Sequence, residues 1–424
     1  MITPENREIF RHRKAQANNF LQLTMPYLAG FVSTDSFDIR LIDEYDEPVP
    51  YDESFDIAAI TVNTPNALHC YRMASRLRLH GTYVVMGGPH VSLLPDEARP
   101  YADCLIPGEA EETWPLFLRD FLRGSQRRLY RSDNPPTLER LPRPRWDLVK
   151  TRRMARYAVI SGRGCRHSCS YCNLRQIYHS SIRERPADEV IDEIATLPGS
   201  RFVFWDDNFF GAPEYAKRLL KGLSGLGKEW AAQVTLEQCE NLELLQLARK
   251  AGCVYLFLGL ESFSQGTLRE ANKGINRVCD YIRLIDRIHG CGISTQAGIV
   301  FGFDSDGMDV FDRTMDACEQ LGIDGATVSL LTPFPGTPLY DRLKQENRLL
   351  TDNWEWFNGK TRVTFQPRRM SPEQLFTGYM RFRRKFFSLR SIFRRLCRSR
   401  VNILQSLILN LGYRQSIERN YDRG

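Results

Sequence analysis

The 424-residue sequence lacks an apolar run of the roughly 20 residues that a membrane-spanning helix requires. Its longest candidate, residues 401–411, is too short and contains Asn402, Gln405 and Ser406. The opening residues 1–13 are polar and lack the apolar segment of a signal peptide. Together these absences predict a cytoplasmic protein.

Cysteine is too sparse for a disulfide-stabilised scaffold, with 11 in the whole chain. The chain is therefore expected in a reducing compartment, where clustered cysteines indicate metal binding or catalysis rather than disulfide bridges. Cys165, Cys169 and Cys172 form such a cluster, and the other cysteines are scattered.

The chain is longer than a single hydrophobic core normally supports, which predicts two or three domains. Residues 1–130 alternate short apolar runs with helical patterns, as in a parallel, doubly wound sheet. Residues 131–156 are rich in proline and charge and are typical of a linker. Residues 157–348 contain six strand–helix units, two short of a full (β/α)₈ barrel, and residues 349–424 are predicted to be mostly helical.

The strands of the first region are predicted at residues 39–42, 57–62, 83–86 and 104–106. Residues 1–4 would supply one more strand, in the centre of the sheet, unless the true start of the chain lies upstream. Because such sheets bind ligands beyond the carboxyl ends of their strands, we predict a binding site in the loops that follow.

The strongest local signal is Gly-Arg-Gly-Cys-Arg-His-Ser-Cys-Ser-Tyr-Cys at residues 162–172, directly after the first barrel strand. Thiolates bind iron–sulfur clusters, and three of them leave one iron open where four would close the site. Gly162 and Gly164 allow a short loop to wrap around a cluster. A zinc site is the alternative, but zinc normally takes four protein ligands, often in two pairs. No second pair lies nearby, although His167 could supply a fourth ligand.

On this motif the chain resembles the radical S-adenosylmethionine (SAM) superfamily, over residues 157–340. The resemblance implies that the three cysteines hold a [4Fe–4S] cluster whose open iron chelates SAM. One electron, from a donor such as flavodoxin or ferredoxin, would cleave SAM and produce a 5′-deoxyadenosyl radical. That radical would abstract hydrogen from the substrate, while the protein positions the reactants and excludes water.

The resemblance also implies a set of SAM-binding residues at the ends of the barrel strands or within them. They are Tyr171 near the adenine; Asp206, Asp207 and Asn208 near the amino group, in place of the common Gly-Gly-Glu; Glu261 and Ser262 near the ribose; and Gly298 and Gly302, which leave room for the adenine. Alternatively, the carboxylates are ordinary acids at helix starts, and the glycines serve packing.

The first region resembles the cobalamin-binding domain that is fused to many radical SAM enzymes, in segments 56–61, 87–91 and 108–111. By this resemblance, loops after the strands would cradle the corrin and its nucleotide tail. The candidate residues are Thr61, Thr64, Gly87, Gly88 and Gly108. The Asp-x-His-x-x-Gly motif that supplies a cobalt ligand in many such domains is absent, and we interpret His90 as a loop histidine rather than a cobalt ligand. A scaffold that has lost its cofactor is the alternative.

The predicted fold is therefore α/β: a Rossmann-like domain of cobalamin-binding type, a partial (β/α)₆ TIM-type radical SAM barrel and a helical tail. The leading functional hypothesis is a cobalamin-dependent methyltransferase acting on an unactivated carbon of a small molecule or lipid, similar to hopanoid and bacteriochlorophyll-pathway enzymes. A non-methylating cyclisation, rearrangement or oxidation is the alternative. Methylthiolation of tRNA would require three cysteines in the first domain, where only Cys70 and Cys104 occur, so no nucleic-acid partner is expected.

Residues 381–400 form a basic, apolar segment in the tail. Arg and Lys residues there interleave with Phe382, Phe386, Phe387, Ile392, Phe393 and Leu396. Such a helix can rest on an anionic membrane surface, which would make the protein membrane-peripheral. The alternative is a helix packed on the barrel with its arginines in solvent.

Overall fold

A computed structural model describes residues 1–6, 21–150, 156–178 and 181–421. The strands are β1 (Ile2–Thr3), β2 (Ile42–Asp43), β3 (Ile57–Thr61), β4 (Tyr83–Gly87), β5 (Cys104–Ile106), β6 (Tyr157–Val159), β7 (Gly162–Arg163), β8 (Arg183–Glu184), β9 (Arg201–Phe204), β10 (Glu229–Val234), β11 (Cys253–Glu261), β12 (Ser294–Phe301) and β13 (Gly325–Leu330). The helices are α1 (Thr24–Ala29), α2 (Ala67–Leu79), α3 (Pro89–Leu93), α4 (Pro95–Ala98), α5 (Thr113–Leu122), α6 (Leu174–Tyr178), α7 (Ala187–Thr196), α8 (Pro213–Leu223), α9 (Leu242–Lys250), α10 (Gln265–Glu270), α11 (Tyr281–Gly290), α12 (Val310–Leu321), α13 (Pro338–Gln345), α14 (Pro372–Phe386), α15 (Leu389–Ser399) and α16 (Ile403–Tyr421).

The first sheet is parallel and has the strand order β2-β1-β3-β4-β5. This is a doubly wound order, as predicted, and its direction of winding reverses between β1 and β3. The opening strand lies centrally, since Ile2 pairs with Ile42 on one side and with Ile60 on the other. The predicted strand at 39–42 is wrong for most of its length. Because β1 is two residues long, it pairs with only two residues of β2, Ile42 and Asp43.

Alternating residues of β3 and β4 build two cores on opposite faces of the first sheet. Ala58 and Val84 belong to a core that includes the buried face of α2, whereas Ala59 and Val85 pack with Phe117 of α5. Burial on both faces is the ordinary arrangement of a parallel sheet covered by helices.

The second sheet is also parallel, with the order β13-β12-β11-β10-β9-β6. Its six strands form the predicted partial barrel, and helices α7, α8, α9, α11 and α12 connect them. Two of these helix ends are capped by residue types that are common at such positions. The Asn241 side chain accepts a hydrogen bond from the Leu244 backbone N–H, and Gly322 ends α12 with φ of 65°.

The C-terminal tail, residues 349–421 in the described chain, packs against both halves of the molecule. Helices α14 and α15 pack against α12, and five of the six apolar residues that suggested a membrane face are buried; only Phe393 is exposed, at 70 %. This burial favours packing on the barrel over membrane contact for those side chains. Upstream, Trp354 and Phe357 lie in the core of the first sheet. Within the described ranges, no helix is long and apolar enough to cross a membrane.

Candidate functional site

The cysteine loop, residues 164–173, begins directly after β7. Gly164 has φ of +96°, and a Cβ atom there would lie 2.0 Å from the carbonyl oxygen of Ser181, so no other residue fits. Its backbone N–H donates to Asp207 Oδ2 at 2.8 Å. Asp207, which follows β9, therefore fixes the start of the cysteine loop. This contact gives the predicted carboxylate at Asp207 a structural role.

All three cysteines of the loop are free thiols of intermediate exposure. Burial raises the pKa of each of them, to about 11 for Cys172, while the Lys273 ammonium acts in the opposite direction on the pKa of Cys165 and Cys169. These thiols are consequently protonated at neutral pH, and a metal must displace their protons when it binds.

The donor set distinguishes a cluster from a zinc ion. Among the residues described, no three or more His, Cys, Asp or Glu side chains are arranged to hold a metal ion. A structural zinc ion normally takes four protein ligands, whereas three thiolates are the donor set of a cubane with one open iron. His167, the one candidate for a fourth ligand, has Nε2 3.0 Å from Glu237 Oε1. The residues present therefore fit a cluster with an open iron.

A buried ion pair that the sequence did not suggest lies beside the cysteines. Lys273 Nζ lies 2.7 Å from Glu261 Oε1, and both side chains are almost inaccessible to solvent. Glu261 has φ of 63°, at an irregularity in the pairing of β11 with β12. The neighbouring Asn272 donates to the carbonyl oxygen of Ser168 at 2.8 Å. The segment after α10 thus holds the cysteine loop in place. This contact is visible in the structure and could not be predicted from the sequence.

The other predicted SAM residues at the ends of β9 and β11 make hydrogen bonds within the protein. Ser161 donates to Asp206 through both its N–H, at 2.8 Å, and its hydroxyl. Burial raises the pKa of Asp206 to about 7. Asn208 Nδ2 donates to Thr235 Oγ1 at 3.1 Å, and Ser262 Oγ accepts from the Ser264 N–H. These side chains hold strand ends together, and their contacts with SAM remain predictions.

The predicted adenine-side residues differ in what surrounds them. Tyr171 lies edge-on to Phe303, with 5.9 Å between ring centroids. A Cβ atom on Gly298 would lie 3.0 Å from Phe257, and one on Gly302 would lie 2.8 Å from Leu375. Packing against neighbouring side chains therefore accounts for both glycines without a ligand.

A cavity of about 710 Å³ lies between the two sheets, at the point where the first sheet reverses its winding. Its lining includes all five predicted cobalamin residues, Thr61, Thr64, Gly87, Gly88 and Gly108. The barrel contributes Gly162, Arg163 and Asp207, which adjoin the cysteine loop. A Cβ atom on Gly88 would lie 2.9 Å from the backbone of Val62. The volume lies within the range of about 300–1,000 Å³ that is usual for small-molecule sites.

His90 is placed behind the wall of this cavity. It lies in α3 rather than in a loop, and it is fully buried. Its Nδ1 is 3.2 Å from Thr64 Oγ1, and its Nε2 is 3.3 Å from Glu97 Oε1. Both ring nitrogens therefore have partners inside the protein.

An ion-pair cluster at the edge of the cavity joins the loop after β5 to the short antiparallel pair of β7 and β8. Arg163 Nη1 lies 2.7 Å from Glu109 Oε1 and 2.5 Å from Glu111 Oε1. Arg183 Nη2 lies 2.5 Å from Glu109 Oε2. The loop 108–111 was singled out in the sequence for its glycine, but no local pattern pairs its acids with arginines some fifty residues or more away.

Comparison with known proteins identifies the class. Residues 159–318 match the model of the radical SAM superfamily, and residues 337–407 match a domain of unknown function. The chain is 31% identical over 383 residues to bacteriochlorophyllide d C-12(1)-methyltransferase of Chlorobaculum tepidum, covering 87% of this chain and 83% of that protein. The chain therefore belongs to the radical SAM superfamily and is an enzyme of that class, as the cysteine motif predicted.

Two further relatives extend the comparison. Hopanoid C-2 methylase of Rhodopseudomonas palustris is 26% identical over 339 residues, covering 75% of this chain and 63% of that protein. In fold, the chain is similar to the radical SAM methyltransferase TsrM from Kitasatospora setae, whose structure holds cobalamin and a [4Fe–4S] cluster. The TM-score is 0.67 at 16% identity, over 91% of this chain and 84% of that one. This likeness confirms the predicted fold class.

Proposed function

We propose that the chain is a cobalamin-dependent radical SAM methyltransferase, acting on an unactivated carbon of a small molecule or lipid intermediate. One observation carries the proposal: a single cavity is lined both by the five predicted cobalamin residues and by residues that adjoin the cysteine loop. The names of the relatives, which are methyltransferases of a bacteriochlorophyllide and a hopanoid, support the same reaction.

In this proposal Cys165, Cys169 and Cys172 hold the cluster, and each bound group has its own part of the site. The residues for SAM are Tyr171, Asp206, Asp207, Asn208, Glu261, Ser262, Gly298 and Gly302. When bound, the cluster and SAM supply a radical that abstracts hydrogen, and cobalamin supplies a methyl group. The chain itself orients the cysteine loop, through the hydrogen bond from Gly164 to Asp207.

We propose a small reduced redox protein, such as flavodoxin or ferredoxin, as the electron donor. Arg166 in the cysteine loop and Arg175 in α6 are exposed and offer a basic surface to an acidic partner. Reduction of the cluster by flavodoxin should therefore slow as salt is raised, and it should slow further in Arg166→Glu. A rate that responds to neither change would contradict this docking surface.

Product analysis tests the reaction. Anaerobic turnover would use SAM with a deuterated methyl group, a chemical reductant and candidate acceptors such as bacteriochlorophyllide d and hopanoids. We expect a product that gains one methyl group with its three deuterium atoms intact. It should form in equal amounts with 5′-deoxyadenosine and S-adenosylhomocysteine, because one SAM supplies the radical and another supplies the methyl group.

A product that forms with 5′-deoxyadenosine but without the added methyl group would contradict methylation. It would favour cyclisation, rearrangement or oxidation instead. The matched control is Cys169→Ala, which should form neither 5′-deoxyadenosine nor product under the same conditions.

A further inference from the structure

The helical tail concentrates the positive charge of the chain. Residues 374–417 contain ten Arg or Lys residues and no Asp or Glu, whereas the whole chain has a net charge of +7. The rest of the chain is therefore net negative. Charge that is segregated in this way is typical of a surface that binds an anionic partner.

Acidic residues of the barrel neutralise only part of this charge. The ion pairs are those of Arg381 and Lys385 with Asp312 of α12, Arg394 with Glu319 of α12, and Arg398 with Asp286 of α11. Arg390 and Arg400 are exposed and make no ion pair within the described residues. Three acids thus face at least six exposed cations, and the surface stays positive.

Helices α15 and α16 also expose an unusual share of the large apolar side chains. Sixteen such side chains are exposed in the described chain, and six of them lie in residues 389–411. They are Leu389, Phe393, Ile403, Leu404, Ile408 and Leu411. Leu404, Ile408 and Leu411 are four and three residues apart and form an aliphatic stripe along α16. Apart from Phe393, these are not the side chains that suggested a membrane face in the sequence.

Both helices cover the amino-terminal ends of the barrel strands. Arg395 of α15 donates to the carbonyl oxygen of Ile323, just before β13, and Ser406 of α16 forms a hydrogen bond with Tyr255 near the start of β11. Because both helices bury one face against the same end of the barrel, their outer faces belong to one surface. The cysteine loop and the cavity lie at the opposite, carboxyl ends of the strands.

We infer that the exposed faces of α15 and α16 dock the protein onto an anionic lipid surface. The arginines meet the lipid phosphates, and the aliphatic stripe enters the boundary between headgroups and acyl chains. A nucleic acid would pair with the arginines but leave the stripe without an apolar partner, and a second copy of the chain would bring like charges together. Docking through this end does not require the proposed reaction, and it leaves the cysteine loop facing water, where an electron donor can reach it.

Co-sedimentation with vesicles tests the docking. Full-length, cluster-reconstituted protein would be mixed anaerobically with phosphatidylcholine vesicles that contain or lack phosphatidylglycerol. We expect a partition coefficient roughly tenfold higher, or more, with phosphatidylglycerol, and it should fall as salt is raised because dissolved ions screen the attraction. Equal binding to both kinds of vesicle, or no binding to the anionic ones, would overturn the inference.

The double variant Leu404→Asn with Ile408→Asn removes most of the aliphatic stripe at an unchanged net charge. Its partition coefficient should fall roughly tenfold or more, because the transfer of two aliphatic side chains out of water is lost. The matched control is Leu79→Asn with Ile282→Asn, at exposed apolar residues elsewhere, which should bind as the wild type does. Formation of 5′-deoxyadenosine without vesicles should be unchanged in both pairs. An unchanged partition coefficient in the first pair would show that charge alone holds the vesicle and would contradict insertion.

The arginines are tested by Arg390→Gln with Arg400→Gln. This pair should bind anionic vesicles roughly tenfold more weakly, since each cation near an anionic leaflet adds to the attraction. Arg119→Gln with Arg123→Gln removes the same charge from exposed residues of α5 and the position after it, and should have little effect. Equal losses in the two pairs would show that only the total charge matters and would rule out a docking surface.

Hydrogen exchange of the wild-type protein locates the contact without any variant. With anionic vesicles, exchange should slow in residues 389–411 and stay unchanged in β3 and β4 of the first sheet. Protection in the first sheet instead of the tail would place the lipid on another surface and would overturn the inference.

Discussion

The three thiols of the cysteine loop are the residues on which all the chemistry depends. We predict that Cys165→Ala, Cys169→Ala or Cys172→Ala each abolishes the visible absorbance of the cluster and the reductive cleavage of SAM, because two thiolates cannot hold a cubane firmly. The measurements are absorbance after anaerobic reconstitution and 5′-deoxyadenosine by chromatography. Cys279→Ala, at an exposed cysteine, is the control and should retain both signals. Normal cleavage by any of the three variants would count against the assignment.

Asp206 should make stability depend on pH. Burial raises its pKa from 3.8 to about 7 in the folded chain. Between these values the folded state holds a proton that the unfolded chain has lost, so the free energy of unfolding falls as the pH rises. The slope from this group is at most about 1.4 kcal/mol per pH unit.

The variant Asp206→Asn should remove that slope while keeping an acceptor for the N–H of Ser161. Urea unfolding at a series of pH values across the window measures the effect. Asp316→Asn, at an exposed aspartate, controls for the change in net charge. A wild-type slope that persists unchanged in Asp206→Asn would show that other groups cause it.

Among the elements of the tail, α15 is attached to the barrel by a buried cation. Arg395 is fully buried, and burial lowers its pKa to about 10. It donates to the carbonyl oxygens of Ile323, before β13, and of Phe386, at the end of α14, as well as to Asn410 of α16. One guanidinium therefore joins three helices and the loop before β13.

We predict that Arg395→Met lowers the free energy of unfolding by about 3 kcal/mol or more, because it leaves several buried carbonyls without donors. The adjacent Arg394→Met is the matched control. Arg394 is about half exposed and pairs with Glu319, so its loss should cost less than about 1 kcal/mol. Chemical unfolding of the two variants gives the comparison, and similar costs would refute the buried role.

Elements with a clear period were predictable, and short ones were not. The strands predicted at residues 83–86 and 104–106 agree with β4 and β5, because an apolar run is a local property of the sequence. The antiparallel pair of β7 with β8 was missed, since it joins two-residue strands on either side of the cysteine loop. Helix α6, of five residues, is too short to show a period.

The candidate site divides in the same way. The three cysteines are adjacent in sequence, so a local motif revealed them. The Lys273–Glu261 pair and the ion-pair cluster join residues that only the fold brings together. No residue spacing in the sequence predicts these contacts. The position of β1, at the centre of the first sheet, was foreseen because a doubly wound sheet requires a strand there.

On the scale of the whole molecule, the cavity is shared by two sheets, and its ligand should therefore stabilise both. At a cobalamin concentration about 100 times the dissociation constant, the free energy of unfolding should rise by about 2.7 kcal/mol. Hydrogen exchange should slow in two places: in the first sheet at Thr61, Thr64, Gly87 and Gly88, and in the barrel region at Gly162 and Arg163.

Thermal unfolding and exchange with and without cobalamin provide the measurement, with α16 as an internal reference remote from the cavity lining. Protection confined to the first sheet would contradict a site shared with the barrel. Equal protection in α16 would indicate a general effect instead.

Trp354 and Phe357 come from the C-terminal tail, yet the core of the N-terminal sheet depends on them. They fill part of the core beneath the first sheet, and the Trp354 indole donates to Glu97 at 3.0 Å. The N-terminal domain on its own would therefore have a cavity in its core where Trp354 and Phe357 pack. A fusion protein that uses this domain has to include residues 354–357 as well, either by circular permutation or as a tethered peptide.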